Sequence, residues 1–104
     1  MEFMETSVFT RRVTELLSDD AYRELQTRLA TRPDQGALIP GCGGLRKLRF
    51  CGKDRGTRGG VRIIYYWLSR QYTIYMLAIY AKNEQIDLTE EQKHILRDLV
   101  KDLH

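Results

Sequence analysis

The sequence has few cysteines and no long uncharged segment, and each shortage excludes a class of protein. Its 104 residues include two cysteines, Cys42 and Cys51, which are too few for a small secreted protein that is cross-linked by several disulfides. No stretch without a charged residue exceeds eleven residues, whereas a membrane-spanning helix needs about 20. The chain opens with Met-Glu-Phe-Met-Glu, which is acidic where a signal peptide is basic. We therefore expect a cytoplasmic protein with reduced thiols and no membrane partner.

Metal-binding and phosphate-binding motifs are also lacking. The two cysteines and the two histidines, His94 and His104, form neither a Cys-x-x-Cys nor a His-x-x-x-His pair. The run Gly41-Cys42-Gly43-Gly44 precedes a predicted strand instead of following one and opening a helix, so it fits neither a dinucleotide-binding loop nor a P-loop. The sequence thus predicts no metal and no cofactor.

Acidic residues are scarce in the middle of the chain. Residues 37–70 carry eight Lys or Arg against the single Asp54, a balance of +7, while residues 1–36 and residues 71–104 each carry −2. These values recover the net charge of +3. A basic block between acidic flanks indicates a polyanionic partner that meets one face of the protein.

Apolar spacing predicts helices at both ends of the chain. Val8, Phe9, Val13, Leu16 and Leu17 recur every three or four residues, which is typical of an amphipathic helix. Ser18 followed by two aspartates marks the start of a second helix, which must end before Pro33. Thr89 with Gln92 forms a capping box for a last helix, whose apolar positions are Ile95, Leu96, Leu99, Val100 and Leu103.

The central part of the chain has strand composition. Residues 45–50 alternate, and residues 61–68 and 72–81 are rich in β-branched and aromatic side chains. The short connection at residues 69–71 favours antiparallel pairing. Residues 2–6 are compatible with a further short strand. The prediction is one α+β domain over residues 1–104: a helical hairpin, a small antiparallel sheet and a C-terminal helix, with the helices on one face of the sheet.

Three basic residues should converge on the other face of this sheet. If Leu48, Phe50, Ile63, Tyr65 and Trp67 face the helices, alternation directs Lys47, Arg49 and Arg62 to the opposite side. Such a surface binds phosphates. The alternative is that these residues are the solvated side of a half-buried sheet. The glycine- and arginine-rich loop at residues 53–60 favours binding over that alternative.

A second cluster, Tyr80-Ala81-Lys82-Asn83-Glu84, should end the strand beside the one that carries Arg62. Tyr80 is a candidate for stacking on a base, or else a packing residue of the sheet. Lys82 is a candidate for contacting a phosphate or a leaving oxygen. Its alternative is a salt bridge of small value with Glu84 at the end of the strand.

These segments together resemble the RelE superfamily of bacterial toxins, and its HigB-type branch in particular. The resemblance is carried by Gly44-Leu45-Arg46-Lys47-Leu48-Arg49, by Arg58-Gly59-Gly60-Val61-Arg62-Ile63-Ile64-Tyr65-Tyr66, by Ile79-Tyr80-Ala81-Lys82-Asn83-Glu84, and by Asp87-Leu88-Thr89. It covers most of the chain, including the order of the elements. It implies the toxin of a type II toxin–antitoxin system, which cuts mRNA in the decoding site of the ribosome.

The reaction implied by the resemblance is metal-independent attack of a ribose 2′-hydroxyl on the adjacent phosphate. By the family pattern Lys47 takes the position of the general base, and Arg49 and Arg62 stabilise the charge that grows on the phosphate. Lys82 or Asn83 stands where a RelE enzyme has an arginine as proposed acid, and Thr89 stands where it has a functional tyrosine. The catalytic candidates are thus Lys47, Arg49, Arg62 and Lys82; the candidate RNA contacts are Arg46, Lys53, Arg55, Arg58, Tyr80 and Asn83.

The implied partners are a cognate antitoxin protein, the ribosome and mRNA. The competing hypothesis is a non-catalytic nucleic-acid-binding module with the same basic face. A third is an inactive toxin relative that acts as a repressor subunit. The chemistry distinguishes them, because a binder needs only distributed charge, whereas cleavage needs Lys47, Arg62 and the Lys82 region to converge.

Overall fold

The fold is α+β, as predicted. The computed structural model describes residues 1–51 and 60–103. Within them the order is β1 (Glu2–Glu5), α1 (Ser7–Leu16), α2 (Asp19–Thr31), β2 (Ala37–Leu38), β3 (Arg46–Phe50), β4 (Val61–Leu68), β5 (Thr73–Ala81) and α3 (Glu90–Lys101). A 3-10 turn (Ser69–Gln71) joins β4 to β5. Among the described helices, none has the length and apolar character needed to cross a bilayer.

The strands form one sheet in the order β1-β5-β4-β3-β2. The predicted antiparallel meander of β3, β4 and β5 is confirmed, and so is the short strand near the N-terminus. β1 pairs with β5 in parallel, so the sheet is mixed rather than wholly antiparallel. β2 was not predicted, because a strand of two residues is too short to show alternation; it pairs with Lys47 and Arg46 of β3.

One face of the sheet packs against α1 and α2, as expected. Leu48, Phe50, Ile63 and Tyr65 are buried there with Phe9, Val13, Leu25 and Leu29 of the two helices, and Trp67 packs at the margin. The helices also contact each other, with the rings of Phe9 and Tyr22 5.8 Å apart between centroids. This cluster is the larger of the two cores.

The expectation that every helix lies on that same face is wrong for α3. A second cluster lies on the opposite side of the sheet and contains Leu45, Ile64, Leu77, Tyr80, Leu88 and Val100, with Leu96 and Leu99 of α3 against it. The physical reason is that Ile64 and Leu77 would expose apolar surface without a cover. The face that carries the basic residues is therefore partly packed and partly open.

The predicted helix starts are confirmed in their hydrogen bonds. Ser18 Oγ accepts from the Ala21 amide at 3.1 Å, and Thr89 and Gln92 form both bonds of the capping box, at 3.1 and 2.9 Å. Two predicted apolar positions are corrected, however. Val8 is 52% exposed and Ile95 is 54% exposed, because each lies at the border of its helix's apolar stripe.

The glycine run before β3 is a turn. Gly41, Gly43 and Gly44 all take positive φ, a conformation that suits glycine. A Cβ at Gly44 would lie 2.9 Å from the ring of Tyr66, so the turn also packs closely on β4. Arg97 of α3 donates to the Gly41 carbonyl at 3.0 Å, which fastens the last helix to this turn.

Candidate functional site

The basic residues of β3 and β4 share the face predicted for them. Arg49 is the direct cross-strand partner of Arg62, and Lys47 lies two residues along β3, opposite Ile64. Facing side chains on neighbouring antiparallel strands have Cβ atoms about 4.5–5.5 Å apart, and like charges at such positions are destabilising. Two arginines placed opposite each other therefore form a cationic surface that an anion would stabilise.

Lys47 is held by a carboxylate that follows β5. Its Nζ lies 3.4 Å from Oδ1 of Asp87, and the same oxygen accepts from the Leu88 amide at 2.8 Å. The backbone hydrogen bond and then the ammonium of Lys47 lower the pKa of Asp87 against partial burial. Asp87 is thus an ionised group on the basic face.

Asp87 is the site residue that sequence reasoning missed. It lies in the segment Asp87-Leu88-Thr89 that contributes to the family resemblance, yet nothing in the local pattern indicates a contact 40 residues back along the chain. The one available signal was the position of Asp87 between β5, which pairs with β4, and the capped helix α3. That position places its carboxylate near the end of the sheet that carries the basic residues.

Tyr80 lies next to Arg62 in the register but is not open to solvent. Its side chain is 6% exposed and belongs to the second core cluster. This is the packing role that the sequence predicts as the alternative to base stacking. A base could stack on this ring only if the ring became exposed. The structure therefore gives the stacking role of Tyr80 no support.

The hydroxyl of Tyr80 has no hydrogen-bond partner among the described residues. By contrast, the hydroxyl of Tyr65 in the other core donates to the Pro33 carbonyl at 2.7 Å and accepts from the Gly36 amide at 2.9 Å. Burial and then the charge of Asp87 raise the pKa of Tyr80, while Arg62 lowers it. The charges of Asp87 and Arg62 therefore both act on the phenol of Tyr80.

Lys82 and Asn83 are exposed at the end of β5, beside the Arg62 end of the sheet. The Lys82 amide donates to the Gly60 carbonyl at 3.4 Å, which holds the backbone near the start of β4. The side chain of Lys82 makes no ion pair with any residue the structure describes, so the predicted alternative of a Lys82–Glu84 bridge is wrong. Glu84 pairs with Arg12 of α1 instead.

Arg46, another predicted RNA contact, lies on the other face of the sheet. Arg46 pairs with Tyr65 in the register, on the side of the first core, and its guanidinium donates to the Asp34 and Gly36 carbonyls at 2.9 and 2.7 Å. Lys53, Arg55 and Arg58 lie outside the described residues. Of the predicted site residues that the structure describes, the basic face therefore collects Lys47, Arg49 and Arg62, with Lys82 and Asn83 at its end.

Neither cysteine belongs to a metal site in the described part of the chain. Cys42 is buried, Cys51 is exposed, and both are free thiols. Over residues 1–51 and 60–103 no group of three or more His, Cys, Asp or Glu side chains could hold a metal ion.

Several solved structures share this arrangement of helices and strands. The isolated E. coli RelE toxin matches with a TM-score of 0.60, at 12% identity, over 99% of this chain and 98% of its own. The chain has the RelE fold. The E. coli RelBE toxin–antitoxin complex matches with a TM-score of 0.60, at 12% identity, over 77% of this chain and 94% of that chain.

A double mutant of E. coli RelE in the free state matches with a TM-score of 0.58, also at 12% identity, over 81% of this chain and 85% of its own. No protein-family model matches the sequence. The expected RelE-like fold is confirmed. At 12% identity a shared fold does not assign side-chain roles, so those roles rest on the geometry described above.

Proposed function

We propose that this chain is the toxin of a type II toxin–antitoxin system, a ribosome-dependent endoribonuclease that cleaves mRNA in the decoding site and so inhibits translation. The observation that carries the proposal is the pairing of Arg49 with Arg62 across β3 and β4, with Lys47 on the same face. Like charges placed opposite each other destabilise a sheet, and an anion bound over them would offset that repulsion. RNA phosphate is the anion that the RelE fold and the basic segment favour.

The proposed reaction begins with attack of the ribose 2′-oxygen on the adjacent phosphorus. The 2′-hydroxyl proton passes to Nζ of Lys47 in its neutral form, the bond from phosphorus to the 5′-oxygen breaks, and Lys82 gives a proton to that oxygen. The products are a 2′,3′-cyclic phosphate and a 5′-hydroxyl end. Arg49 and Arg62 stabilise the negative charge that develops on the phosphate oxygens.

Asp87 adds a competition to this scheme. Its carboxylate holds Lys47 at 3.4 Å, so an incoming phosphate must compete with an existing ion pair. At neutral pH Asp87 is ionised, because the Leu88 amide and Lys47 lower its pKa. Entry of RNA at Lys47 therefore requires the Lys47–Asp87 ion pair to open.

The partners and the location of the protein belong to the same proposal. A nuclease that acts on translating ribosomes would stop the growth of its own host, so we expect a co-expressed antitoxin in the cytoplasm. One structural neighbour is itself a toxin–antitoxin complex. The +7 balance of residues 37–70 predicts that the antitoxin presents acidic groups to the basic face or covers it.

The test uses a translating ribosome with a defined codon in the decoding site. The ends of the product decide the chemistry, because the ribosome itself needs Mg²⁺. We expect a 2′,3′-cyclic phosphate, and we expect a 2′-deoxy substitution at the cut position to stop the reaction. Cleavage that survives this substitution, or a 5′-phosphate product, would refute the mechanism.

The competing functions give different outcomes in the same assay. Tight RNA binding without any cleavage would favour the non-catalytic binding module. An inactive toxin relative would neither cleave nor arrest growth, yet would still bind its antitoxin. Expression of the chain with and without the neighbouring antitoxin gene adds a cellular test, since a toxin arrests growth only when expressed alone.

A further inference from the structure

The turn that follows β5 is fastened from two sides. The Ala81 carbonyl accepts from the amides of Glu84 at 3.0 Å and Gln85 at 3.4 Å, which closes a tight turn with Lys82 and Asn83 at its tip. The Lys82 amide bonds to the Gly60 carbonyl at 3.4 Å, so one side of the turn is fixed to β4.

Glu84 fixes the other side through a single carboxylate oxygen. Its Oε1 accepts from the Ala81 amide at 3.0 Å and from the guanidinium of Arg12 at 2.5 Å. These two contacts keep the pKa of Glu84 below its ordinary value, the backbone bond first and Arg12 next. The carboxylate thus joins the last residue of β5 to helix α1.

Arg12 is itself well anchored. It lies on α1 between Phe9 and Val13, which are both buried in the first core cluster, and its other terminal nitrogen pairs with Glu15 at 3.1 Å. The link from Arg12 to Glu84 spans 72 residues of sequence. It connects the helical layer on one side of the sheet to a turn that stands at the end of the basic face.

An isolated ion pair between exposed side chains contributes little to stability. The Arg12–Glu84 pair differs in that its carboxylate oxygen also holds a backbone amide, so moving the carboxylate moves the turn.

We propose that Glu84 and Arg12 are positioning residues, which hold the Lys82–Asn83 turn at the Arg62 end of the basic face without contacting RNA themselves. The role of the turn in cleavage rests on the proposed function; the positioning itself does not. Glu84 acts on the turn through the Ala81 amide, and Arg12 acts through Glu84.

The test compares four variants by two independent measurements. Glu84→Ala removes both contacts, Glu84→Gln keeps a neutral acceptor for the Ala81 amide, and Arg12→Met removes only the guanidinium. Glu15→Gln is the matched control, because it removes the charge of the other partner of Arg12 and leaves the turn contacts in place. Thermal unfolding of each variant checks that the fold persists.

The first measurement is hydrogen exchange of the Ala81 amide by NMR, which requires no activity. We expect exchange to accelerate at least about tenfold in Glu84→Ala, since a hydrogen bond to a charged acceptor is lost. Arg12→Met and Glu84→Gln should fall between that variant and the wild type, and Glu15→Gln should match the wild type. Unchanged exchange in Glu84→Ala would overturn the positioning role.

The second measurement is single-turnover cleavage of mRNA on programmed ribosomes. We expect the rate to fall in the same order as the exchange protection, while the affinity for ribosomes and its salt dependence stay unchanged. Loss of affinity with a smaller salt slope would instead show that these residues support phosphate contacts, and would overturn the proposal. A wild type that does not cleave refutes the proposed function, and the exchange measurement alone then decides the positioning.

Discussion

Replacing Arg62 with alanine should separate activity from stability. Arg62 lies on β4, the central strand of the sheet, with Arg49 opposite it on β3 and Tyr80 opposite it on β5. Arg62→Ala shortens one side chain on the basic face and leaves the neighbouring core residues Ile63 and Ile64 unchanged. The first core cluster is on the other face and keeps all its members.

The two expected effects have opposite signs. A donor aimed at a developing anion contributes about 2.7–4 kcal/mol to the transition state, so its loss slows cleavage about 100- to 1000-fold. Removing one of two facing like charges relieves their repulsion in the folded state. That relief offsets part of the packing that the arginine stem provides, so we expect the melting temperature to change by only a few degrees.

The assay pairs single-turnover cleavage on programmed ribosomes with calorimetric melting. Arg23→Ala is the matched control, because it removes an exposed arginine from α2 whose ion pair, among the described residues, is with Asp20 of the same helix. We expect the control to cleave like the wild type. The reasoning is refuted if Arg62→Ala cleaves at the wild-type rate, or if Arg23→Ala loses as much activity as Arg62→Ala.

Further predictions concern the residues around this pair. If Lys47 accepts the proton, Lys47→Arg should be as inactive as Lys47→Met in the cleavage assay, because arginine keeps the charge but stays protonated; full activity of the arginine variant would limit Lys47 to charge stabilisation. Asp87→Asn should raise affinity for single-stranded RNA and steepen its salt slope by about 0.7, because it releases one lysine for phosphate; an unchanged slope in binding titrations would contradict this. Tyr80→Phe should leave the melting temperature unchanged or raise it, because a buried hydroxyl without a partner costs about 1–3 kcal/mol; a marked fall in calorimetry would reveal a partner for that hydroxyl. Folding lowers the pKa values of Glu84 and Asp87, so their contribution to stability is present at neutral pH and is lost as pH falls below about 4. In the Glu84→Gln and Asp87→Asn variants the melting temperature should therefore depend less on pH over this acidic range.

Local signals in the sequence predicted most of the elements. Ser18 and Thr89 act within three residues of themselves, so the starts of α2 and α3 can be derived without knowing the fold. Alternation along β3 placed Leu48 against the helices and Lys47 on the opposite face, because one residue decides the side for its neighbours.

Contacts between distant parts of the chain were harder to predict. The position of α3 depends on which sheet face has uncovered apolar residues, and Ile64 was the signal that the basic face needed a cover. The pairs Lys47–Asp87 and Arg12–Glu84 span 40 and 72 residues. Nothing in either local pattern specifies the partner, since charged residues are common at the surface of any helix or turn.

The long sequence separation of these contacts has a consequence for synthesis. β1 pairs with β5, and Lys47 meets Asp87, so the sheet and the basic face are complete only after residue 87 has left the ribosome. Contacts that close such long loops form late in folding. The chain must lose the conformational entropy of the loop before the contact contributes any favourable energy. A nascent chain that ends before β5 already carries seven of the eight basic residues of the 37–70 block when it reaches Arg62, yet it has no turn, no Asp87 and no partner strand for β1. The cations are therefore synthesised well before the surface that they form.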